Sequence, residues 1–560
     1  MDPENIAVDM VVVGSGSAGM ATAIVAAREG LDVLLLEKTP FFGGATAWSG
    51  GGCWVPDNHI MRSAGMQDSA EDAGTYIREV VGQALDETLW QQFLENSAEM
   101  LRYFENNTHV HFDLKGTLPD YFPELPGGSR AGRLVTPVEY DGRRLGDWFA
   151  RLRPPLPEFN APGGMMVDLA DGVHLMNAGH SWRSLSRSLG LVSRYLGDRL
   201  RGYPRGMRLT MGNALAARLL HSALDAGVTL WHNSSALDLI KNNDRVAGVE
   251  IDREGRKMAI TARRGVVLAS GGFSSDPEMR RRHIPYAEYH QSLMPEGNTG
   301  DGIRMALGVG GTMHQSNPAN AVWNIISLHH RPDGSVRKFP HLFLDKPMPG
   351  CIAVNDSGER FGNEASLVFT EAMHRTGSVP AWLICDGRFI RRHGLGLVYP
   401  GGWGRRRLVR DGYLINGESL ATLAQKMAVP GNALEETVAR FNRHAAEGKD
   451  PDFGRGDSAF DRAAGDAAHK PNPSLGPIEK APFYAVRVYP GDATTTLGLK
   501  VDKYGRVMSR DNGAIAGLYA AGLDMNSLWA GLPPAGGSNH SLNLTMGYLI
   551  GRHLAGNESA

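Results

Sequence analysis

The feature that most constrains this chain lies near its N-terminus, where an apolar stretch meets a glycine-rich loop. Residues 6–13 form a β-branched run that is typical of a buried parallel strand. The loop "GSGSAG" follows over residues 14–19, and residues 20–28 have helical spacing before Gly30. A second apolar strand, residues 32–36, ends at Glu37, about 20 residues after the glycines. This order predicts a βαβ unit that binds a dinucleotide.

Each glycine of the loop has a predicted task in holding the dinucleotide. Gly14 permits the tight turn, Gly16 lets backbone N–H groups approach a pyrophosphate, and Gly19 lets the helix pack closely on the strand. The N-terminus of the following helix adds positive potential, and Glu37 accepts hydrogen bonds from ribose hydroxyls. The predicted cofactor-binding residues of this unit are Gly14, Ser15, Gly16, Ala18, Gly19, Glu37 and Lys38.

A second glycine-rich stretch, "EKTPFFGGATAWSGGG", favours FAD over NAD because it offers a small, hydroxyl-bearing loop against which a bulky ring can lie. The stretch resembles the "GG(T/S)(S/T)…SGG…W.P" pattern that follows "LEK" in the fumarate reductase and 3-ketosteroid dehydrogenase superfamily of flavoproteins, and the match includes Trp54 and Pro56. We therefore expect non-covalently bound FAD. The predicted contacts in this stretch are Gly43, Gly44, Thr46, Ser49, Gly51 and Gly52.

The resemblance implies an α/β fold, with a Rossmann-like FAD-binding domain assembled from discontinuous segments and an inserted α+β catalytic, or capping, domain. We place the FAD-binding domain at residues 1–115, 206–294 and 481–560, an insert near the active site at 116–205, and the capping domain at 295–480. In the later FAD segments, a helix start near Ser541 is expected to face the N1–C2=O region of the reduced flavin. The predicted cofactor residues there are Ala236, Ala269, Gly271, Gly522, Asp524, Ser541 and Leu542.

The insert contains an amphipathic pattern with apolar positions on one face and arginines on the other. This pattern predicts a helix. A surface helix packed on the main body, a wall of the substrate entrance, a subunit contact and a peripheral membrane contact all remain open. The apolar positions are Leu185, Leu189, Val192 and Leu196.

Composition and charge exclude several classes of protein. The formal net charge of -2 gives no overall field for nucleic acid or an anionic membrane, so we expect no nucleic-acid partner. The three cysteines, Cys53, Cys351 and Cys385, fit neither a disulfide framework nor a metal site, and they suit a reducing cytoplasm. The N-terminus lacks signal-peptide features, and no apolar run reaches about 18 residues. We expect a cytoplasmic protein without a metal, with at most peripheral membrane contact.

Flavin accepts a hydride, so desaturation of a ketone also requires a base for the α-proton and donors at the enolate oxygen. The stretch "GTLPDYFPE" resembles the "FPDYY" stretch of 3-ketosteroid Δ1-dehydrogenases, and Tyr121 corresponds to a tyrosine that assists the catalytic base there. A glycine of the C-terminal loop "LPPAGG", Gly536 or Gly537, is expected to donate its N–H to the ketone oxygen, with Gly537 as our catalytic candidate.

Two tyrosines of that family have no counterpart in this sequence. The stretch after "NE" offers Leu367, Val368 and Phe369, and Leu532 or Pro533 stands where a second tyrosine is expected. Asn539 and His540 could hydrogen-bond a carbonyl, and Tyr195 could act as base if the insert folds over the pocket. We take Tyr195 and His540 as further catalytic candidates.

We therefore predict an FAD-dependent dehydrogenase acting on CH–CH groups, with a 3-ketosteroid or a smaller cyclohexanone-like ketone as substrate and a separate electron acceptor. An enoate or fumarate-type reductase is the alternative enzyme. The arginines in "GGWGRRRLVR" could serve a dicarboxylate, although such a cluster is more often solvated. A flavin-bound structural or redox-sensing protein is the non-enzymatic alternative. The oligomeric state is left open.

Overall fold

The chain is organised around two large sheets. The structure is a computed structural model that describes residues 6–115, 118–161, 163–179, 181–342 and 345–557. The first, the nucleotide sheet, has its core strands in parallel: Ile6–Val13 pairs with Val33–Leu36 on one side and with Arg256–Leu268 on the other. All three strands are nearly free of exposed side chains at their C-terminal ends, as their apolar sequences predict. The strand order is Thr229–Trp231, Val33–Leu36, Ile6–Val13, Arg256–Leu268, Arg245–Arg253, Ala514–Ala520 and Arg506–Met508, with Ser234–Asn242 paired to Arg245–Arg253.

Helices cover this sheet, and two of them approach each other closely. The first helix, Ser17–Arg28, packs against the last, Ser538–Ala555, which we call the closing helix. A Cβ atom at Gly547 would lie 2.7 Å from Cβ of Ala21, and one at Gly551 would lie 2.8 Å from Cβ of Val25. The glycines therefore let the closing helix lie directly on the first helix, which brings its N-terminus to the glycine-rich loop.

The second sheet, the cap sheet, forms the capping domain. Its strands are Val336–Pro340, Ala321–His330, Phe483–Thr495, Ala381–Asp386 and Cys351–Val354, with Gln291–Ser292 and Leu414–Gly417 also paired to Phe483–Thr495. The predicted domain boundaries shift accordingly. Phe483–Thr495 is the central strand of the cap sheet and not part of the last FAD segment. Residues 297–301, predicted to open the capping domain, line the cofactor cleft described below.

The insert combines a strand that pairs with the FAD-binding domain and a helical hairpin. Leu134–Pro137 pairs with Cys53–Trp54 of the FAD-binding domain and with Phe112–Asp113. Further along, Leu169–Met176 and Trp182–Leu200 form a helical hairpin, and we call the second of these the insert helix. The two remaining strand pairs are Tyr140–Asp141 with Arg208–Leu209, and Asn160–Ala161 with Met165–Met166.

The other helices connect and cover these sheets. Before the cap they are His59–Ser63, Ala70–Val81, Glu87–Asn107, Met211–Asp225, Pro277–His283 and Asp301–Gly308. In the cap they are Phe369–Thr376, Gly387–Arg392, Arg405–Arg410, Leu420–Met427, Gly431–Ala446 and Ala459–Ala464. Within the described ranges, no helix combines the length and the apolar composition needed to cross a membrane.

Candidate cofactor cleft and active site

A cleft of about 810 Å³, part of it open to solvent, lies where the parallel strands of the nucleotide sheet end. Val13 and Leu36, the last residues of their strands, contribute to its floor. Open α/β sheets bind ligands at this edge. Predicted cofactor residues that line the cleft are Gly14, Ser15, Gly16, Ala18, Glu37, Lys38, Gly44, Thr46, Ala236, Ala269, Gly271 and Gly522.

The three loop glycines face different surroundings. A Cβ atom at Gly14, where φ is +108°, would lie 2.2 Å from the carbonyl oxygen of Ala269. One at Gly19 would lie 2.0 Å from the carbonyl oxygen of Gly14, so Gly19 sets the close contact of helix and strand. At Gly16, by contrast, a Cβ atom would meet nothing within 4 Å. The backbone there borders open space in the cleft, so the residues present fit a dinucleotide that approaches it.

Glu37 is held in place at the cleft by its neighbours. The hydroxyl of Ser15 donates to Oε2 of Glu37 over 2.5 Å, and the backbone N–H of Thr39 donates to Oε1 over 2.9 Å. The N–H of Gly43 in turn donates to the Ser15 hydroxyl over 3.0 Å. These bonds tie the first glycine-rich loop to the second and fix the carboxylate that we expect to accept ribose hydroxyls.

Lys38 connects this unit to the far side of the cleft. Its Nζ donates to the Thr299 hydroxyl and to Oδ2 of Asp301, each over 2.6 Å. Burial raises the pKa of Asp301, but the hydrogen bonds from Lys38 and Thr299 and the charges of Lys38 and Arg304 together outweigh it. The pKa is therefore lowered, and the carboxylate stays ionised. Lys38 therefore holds residues 299–301 next to the end of strand Val33–Leu36.

Asp524 lies beneath the residues that line the cleft and binds backbone groups there. Its carboxylate accepts the backbone N–H groups of Ser270 and Gly272, at 2.6 Å and 3.0 Å. Asp524 is fully buried and is absent from the cleft lining, whereas the neighbouring Gly271 and Gly522 line it. The structure thus gives this predicted cofactor contact a different task, because its carboxylate is used to shape the loop that follows strand Arg256–Leu268.

The last residues of the second glycine-rich loop also serve packing. A Cβ atom at Gly51 would lie 2.7 Å from the backbone nitrogen of Gly212, and one at Gly52 would lie 2.7 Å from a methyl carbon of Leu134. Ser49 donates its hydroxyl hydrogen to the carbonyl of Thr46 over 2.8 Å. Among the predicted contacts of this loop, Gly44 and Thr46 line the cleft, while Gly43, Ser49, Gly51 and Gly52 shape the loop around it.

The closing helix begins at Ser538, three positions earlier than predicted, with Gly537 as its N-cap. The N–H of Ser541 donates to the carbonyl of Gly537 over 3.1 Å, so it is already used within the helix. The N–H of Ser541 is therefore not free to donate to a flavin, and the placement of Ser541 and Leu542 beside the N1–C2=O region stays a prediction. Helices leave only their first N–H groups free, which here belong to the turn that includes Asn539 and His540.

His540 joins the closing helix to both glycine-rich loops. Because the Ser49 hydroxyl donates to Thr46, it accepts from Nε2–H of His540 over 2.8 Å. Nδ1 of His540 then accepts from the Ser17 hydroxyl over 3.2 Å. Burial lowers the pKa of His540 to about 4, which keeps the ring neutral near pH 7. With both ring nitrogens engaged, His540 is better suited to position the loops than to polarise a ketone.

Tyr121 and Gly536 form the best candidate for a site of chemistry. A Cβ atom at Gly536 would lie 3.6 Å from the hydroxyl oxygen of Tyr121. Within the described ranges, neither the Tyr121 hydroxyl nor the Gly536 N–H has a hydrogen-bond partner. The Tyr121 ring also packs edge-on against Phe460 of the capping domain at 5.1 Å. A phenol and a backbone donor are thus left free side by side, between the FAD-binding and capping domains.

Gly537, the glycine chosen from the sequence, faces elsewhere. A Cβ atom there would lie 2.4 Å from the carbonyl oxygen of Gly52, and φ is +80°. Its own carbonyl accepts the N–H groups of Trp54 and Ser541. Gly537 therefore supports the turn into the closing helix, and its neighbour Gly536 is the glycine that lies next to Tyr121.

Tyr195 lies apart from Tyr121 and the cofactor cleft. Its hydroxyl donates to the carbonyl of Gly163, and the ring borders a small pocket with Met165, Leu191 and Arg208. This pocket shares no residue with the cleft lining in the part of the chain that the structure describes. The insert helix contributes no residue to the cleft lining, so the geometry does not favour Tyr195 as the base.

No phenol replaces the two absent tyrosines at their own positions. Phe369 is buried in the capping domain against Phe361, with ring centroids 5.1 Å apart. Leu532 begins the turn that leads to Gly536, and its N–H donates to the carbonyl of Trp529 over 2.7 Å. Tyr121 is thus the free phenol that the structure leaves beside the glycine loop.

Sequence reasoning missed several polar side chains of the cleft, among them Arg153, Asn298 and Asn543. Arg153 lies over the Trp48 ring at 5.7 Å and donates to the Thr39 hydroxyl over 2.9 Å. Asn298 donates to the carbonyl of Gly271 over 2.8 Å, and Asn543 donates to the Ser17 hydroxyl over 3.0 Å. Asn543 could have been predicted from the sequence, because it follows His540 by three residues and so lies on the same face of the helix. Arg153 could not have been predicted in this way, because it lies in an irregular proline-rich stretch whose sequence has no regular spacing.

Comparison with known proteins identifies a family. The FAD binding domain family matches residues 9–539. The 4-oxocyclohex-2-ene-1-carboxylate 5-dehydrogenase of Sinomonas cyclohexanicum is 35% identical, with 99% of this chain and 94% of that protein covered. The 3-oxosteroid 1-dehydrogenase of Mycolicibacterium smegmatis is 34% identical, with 99% and 98% covered. The crystal structure of 3-ketosteroid Δ1-dehydrogenase from Sterolibacterium denitrificans, in complex with 1,4-androstadiene-3,17-dione, superimposes with a TM-score of 0.90 at 34% identity, covering 99% and 100% of the two chains.

Proposed function

This chain belongs to the FAD-binding family that includes the 3-oxosteroid 1-dehydrogenases, and we propose that it is an FAD-dependent dehydrogenase that desaturates a cyclic ketone between its α and β carbons. Its relatives are named for substrates that share a ring ketone and differ in size. The proposed substrate class is therefore a 3-ketosteroid or a smaller cyclohexanone-like ketone.

The free pair formed by Tyr121 and Gly536 is the observation that carries this proposal. The N–H of Gly536 donates to the ketone oxygen and stabilises the negative charge that develops there. Tyr121 takes part in removing the proton from the α carbon. Burial raises the pKa of the Tyr121 phenol, so its ionised fraction at neutral pH is small. Proton removal should consequently become faster as the pH rises.

FAD, when bound, supplies the hydride acceptor for the hydrogen on the β carbon, so that the bond between the α and β carbons becomes double. Gly14, Gly16 and Glu37 hold the dinucleotide, and Asp524 keeps the opposite loop in shape. The cofactor is proposed to be held without a covalent bond, since none of the described residues lining the cleft is a cysteine, histidine or tyrosine. Reoxidation then falls to a separate electron acceptor.

A reductase acting on a dicarboxylate gains less support. The arginines suggested for such a substrate lie on the short helix Arg405–Arg410, and Arg406, Arg407 and Arg410 are exposed. Arg407 and Arg410 both pair with Asp411, at 3.4 Å and 3.3 Å. This cluster is a solvated face of the capping domain, as its sequence already suggested.

Product analysis tests the proposal. The protein reconstituted with FAD is incubated with 4-androstene-3,17-dione or with 4-oxocyclohexanecarboxylate and an artificial electron acceptor, and the products are separated by mass. We expect a product lighter by two hydrogens from at least one ketone. Absence of such a product from both, together with reduction of fumarate or an enone by the pre-reduced protein, would favour the reductase.

A further inference from the structure

The insert helix presents a row of large apolar side chains to solvent. Trp182 is 80% exposed, Leu189 58%, Leu196 52% and Leu200 89%. Their spacing of seven, seven and four residues places them on one face of the helix. Such a row of exposed apolar side chains on a folded helix points to something that covers it. We call these four residues the apolar face.

The helix is held to the body of the protein by its other side. Ser184, Ser188 and Asp198 are buried there, and Asp198 accepts from the backbone N–H of Met207 over 2.8 Å and pairs with Arg143. The Arg187–Asp171 and Arg194–Glu139 ion pairs, each 2.8 Å, attach the helix to its hairpin partner and to the segment before strand Tyr140–Asp141. The body thus orients the insert helix with its apolar face outward.

The same helix is strongly basic. Residues 182–201 contain five arginines and one aspartate, a formal charge of +4, whereas the whole chain carries -2. Within the described ranges Arg183, Arg199 and Arg201 have no ion pair with a carboxylate, and all three are exposed. Arg199 donates to the neutral carbonyls of Tyr203 and Pro204. These three arginines therefore place positive charge beside the apolar face that no carboxylate of the described residues pairs with.

The combination of exposed apolar side chains and unpaired arginines favours one of the partners that could cover the apolar face. A second copy of the helix would bring a second set of like charges against the first. An anionic lipid surface supplies both an apolar layer for tryptophan and leucine and a negative charge for arginine. A helix with Trp and Leu on one face and Arg on the polar face has the composition of interfacial helices. We propose that the insert helix attaches this protein peripherally to the surface of anionic phospholipid membranes.

Sedimentation with vesicles tests this attachment on the full-length protein loaded with FAD. Vesicles of phosphatidylcholine alone are compared with vesicles containing phosphatidylglycerol in addition, and we expect binding to the second kind that weakens with salt. The triple variant Leu189→Ser, Leu196→Ser, Leu200→Ser should lose binding. The double variant Arg183→Gln, Arg201→Gln should bind about thirtyfold more weakly. As a matched control, Leu237→Ser and Val336→Ser change exposed apolar side chains elsewhere, at 40% and 46% exposure, and should bind like the parent.

Fluorescence locates the contact, and sedimentation equilibrium addresses the competing partner. Brominated lipid should quench the parent more than Trp182→Phe, because Trp182 enters the acyl region. The proposal is overturned if the parent does not bind anionic vesicles, if the triple variant binds equally well, or if Trp182→Phe leaves the quenching unchanged. A concentration-dependent dimer that the triple variant abolishes, without vesicle binding by the parent, would assign the apolar face to a second copy instead.

Discussion

The backbone N–H of Tyr121 donates to the carbonyl oxygen of Pro534 over 2.9 Å, which ties the candidate phenol to the loop that carries Gly536. The hydroxyl of Tyr76 donates to the same carbonyl over 2.6 Å. Two segments distant in sequence thus share one acceptor, and the backbone that carries Tyr121 is held next to the loop that carries Gly536.

Replacement of the phenol tests its role in proton transfer. Tyr121→Phe keeps the ring and its contact with Phe460 but removes the hydroxyl. We expect flavin reduction by a ketone to slow by about 10²- to 10⁴-fold, the usual contribution of general acid–base catalysis, while FAD affinity is kept. Rapid-mixing absorbance measurements give the rate. Tyr195→Phe is the control and should react like the parent; a loss in the control and not in Tyr121→Phe would reverse our assignment of the two tyrosines.

The adjacent glycines should respond differently to the same substitution. Gly536→Ala places a methyl group in the space beside the Tyr121 hydroxyl, so ketone binding should weaken while the melting temperature changes little. Gly537→Ala forces a side chain against the carbonyl of Gly52 at a positive φ, so it should lower the melting temperature. Thermal unfolding and KM for the ketone separate these effects. Equal KM values for parent and Gly536→Ala would contradict the ketone site.

Two glycines of the first glycine-rich loop, Gly16 and Gly19, should also respond differently to alanine substitution. Gly16→Ala meets no protein atom within 4 Å, so the protein without cofactor should keep its stability, and its affinity for FAD should decrease because the methyl group enters the cleft. Gly19→Ala would place Cβ 2.0 Å from the carbonyl of Gly14 and should destabilise the protein even without FAD. Titration calorimetry and thermal unfolding of the cofactor-free forms give both quantities. Unaltered FAD affinity in Gly16→Ala would show that the cofactor does not approach this backbone.

His540 should make stability depend on pH in a defined window. Its pKa is about 4 in the folded protein and about 6.5 ordinarily, so the unfolded chain takes up the proton more readily between these values. The stability that neutral His540 provides is complete above pH 6.5 and is lost as the pH falls towards 4. Melting temperatures between pH 4 and 8 should show a decrease that His540→Gln makes shallower. A parallel decrease in both proteins would mean that other groups cause it.

Local sequence patterns predicted the nucleotide-binding half well because its chemistry is local. The glycine spacing, the strand Ile6–Val13 and the position of Glu37 follow from steric and hydrogen-bonding rules within one βαβ unit. The choice between Gly536 and Gly537 could not be made this way. It depends on which glycine meets Gly52 and which meets Tyr121, and both contacts join segments far apart in the chain.

The dependence on contacts between distant segments also explains why the sequence did not predict the boundary near residue 481 or the hydrogen bonds of Asp524. Phe483–Thr495 reads as a strand, but its sequence does not say which sheet it joins. Asp524 follows a strand end of the nucleotide sheet, where cofactor contacts are common, yet its carboxylate is used by the N–H groups of Ser270 and Gly272. Sequence spacing indicates that a polar group is present near the site, whereas its partner depends on tertiary structure.

Anaerobic absorbance of the bound flavin tests the central claim most directly. The oxidised protein is mixed without oxygen with 4-androstene-3,17-dione, and separately with 4-oxocyclohexanecarboxylate, while the flavin band is recorded. We predict that at least one ketone bleaches the band, more rapidly at higher pH, and that Tyr121→Phe slows the bleaching. A band that persists with both ketones, in a protein whose reduced flavin is reoxidised by fumarate or an enone, would contradict the assignment as a ketone dehydrogenase.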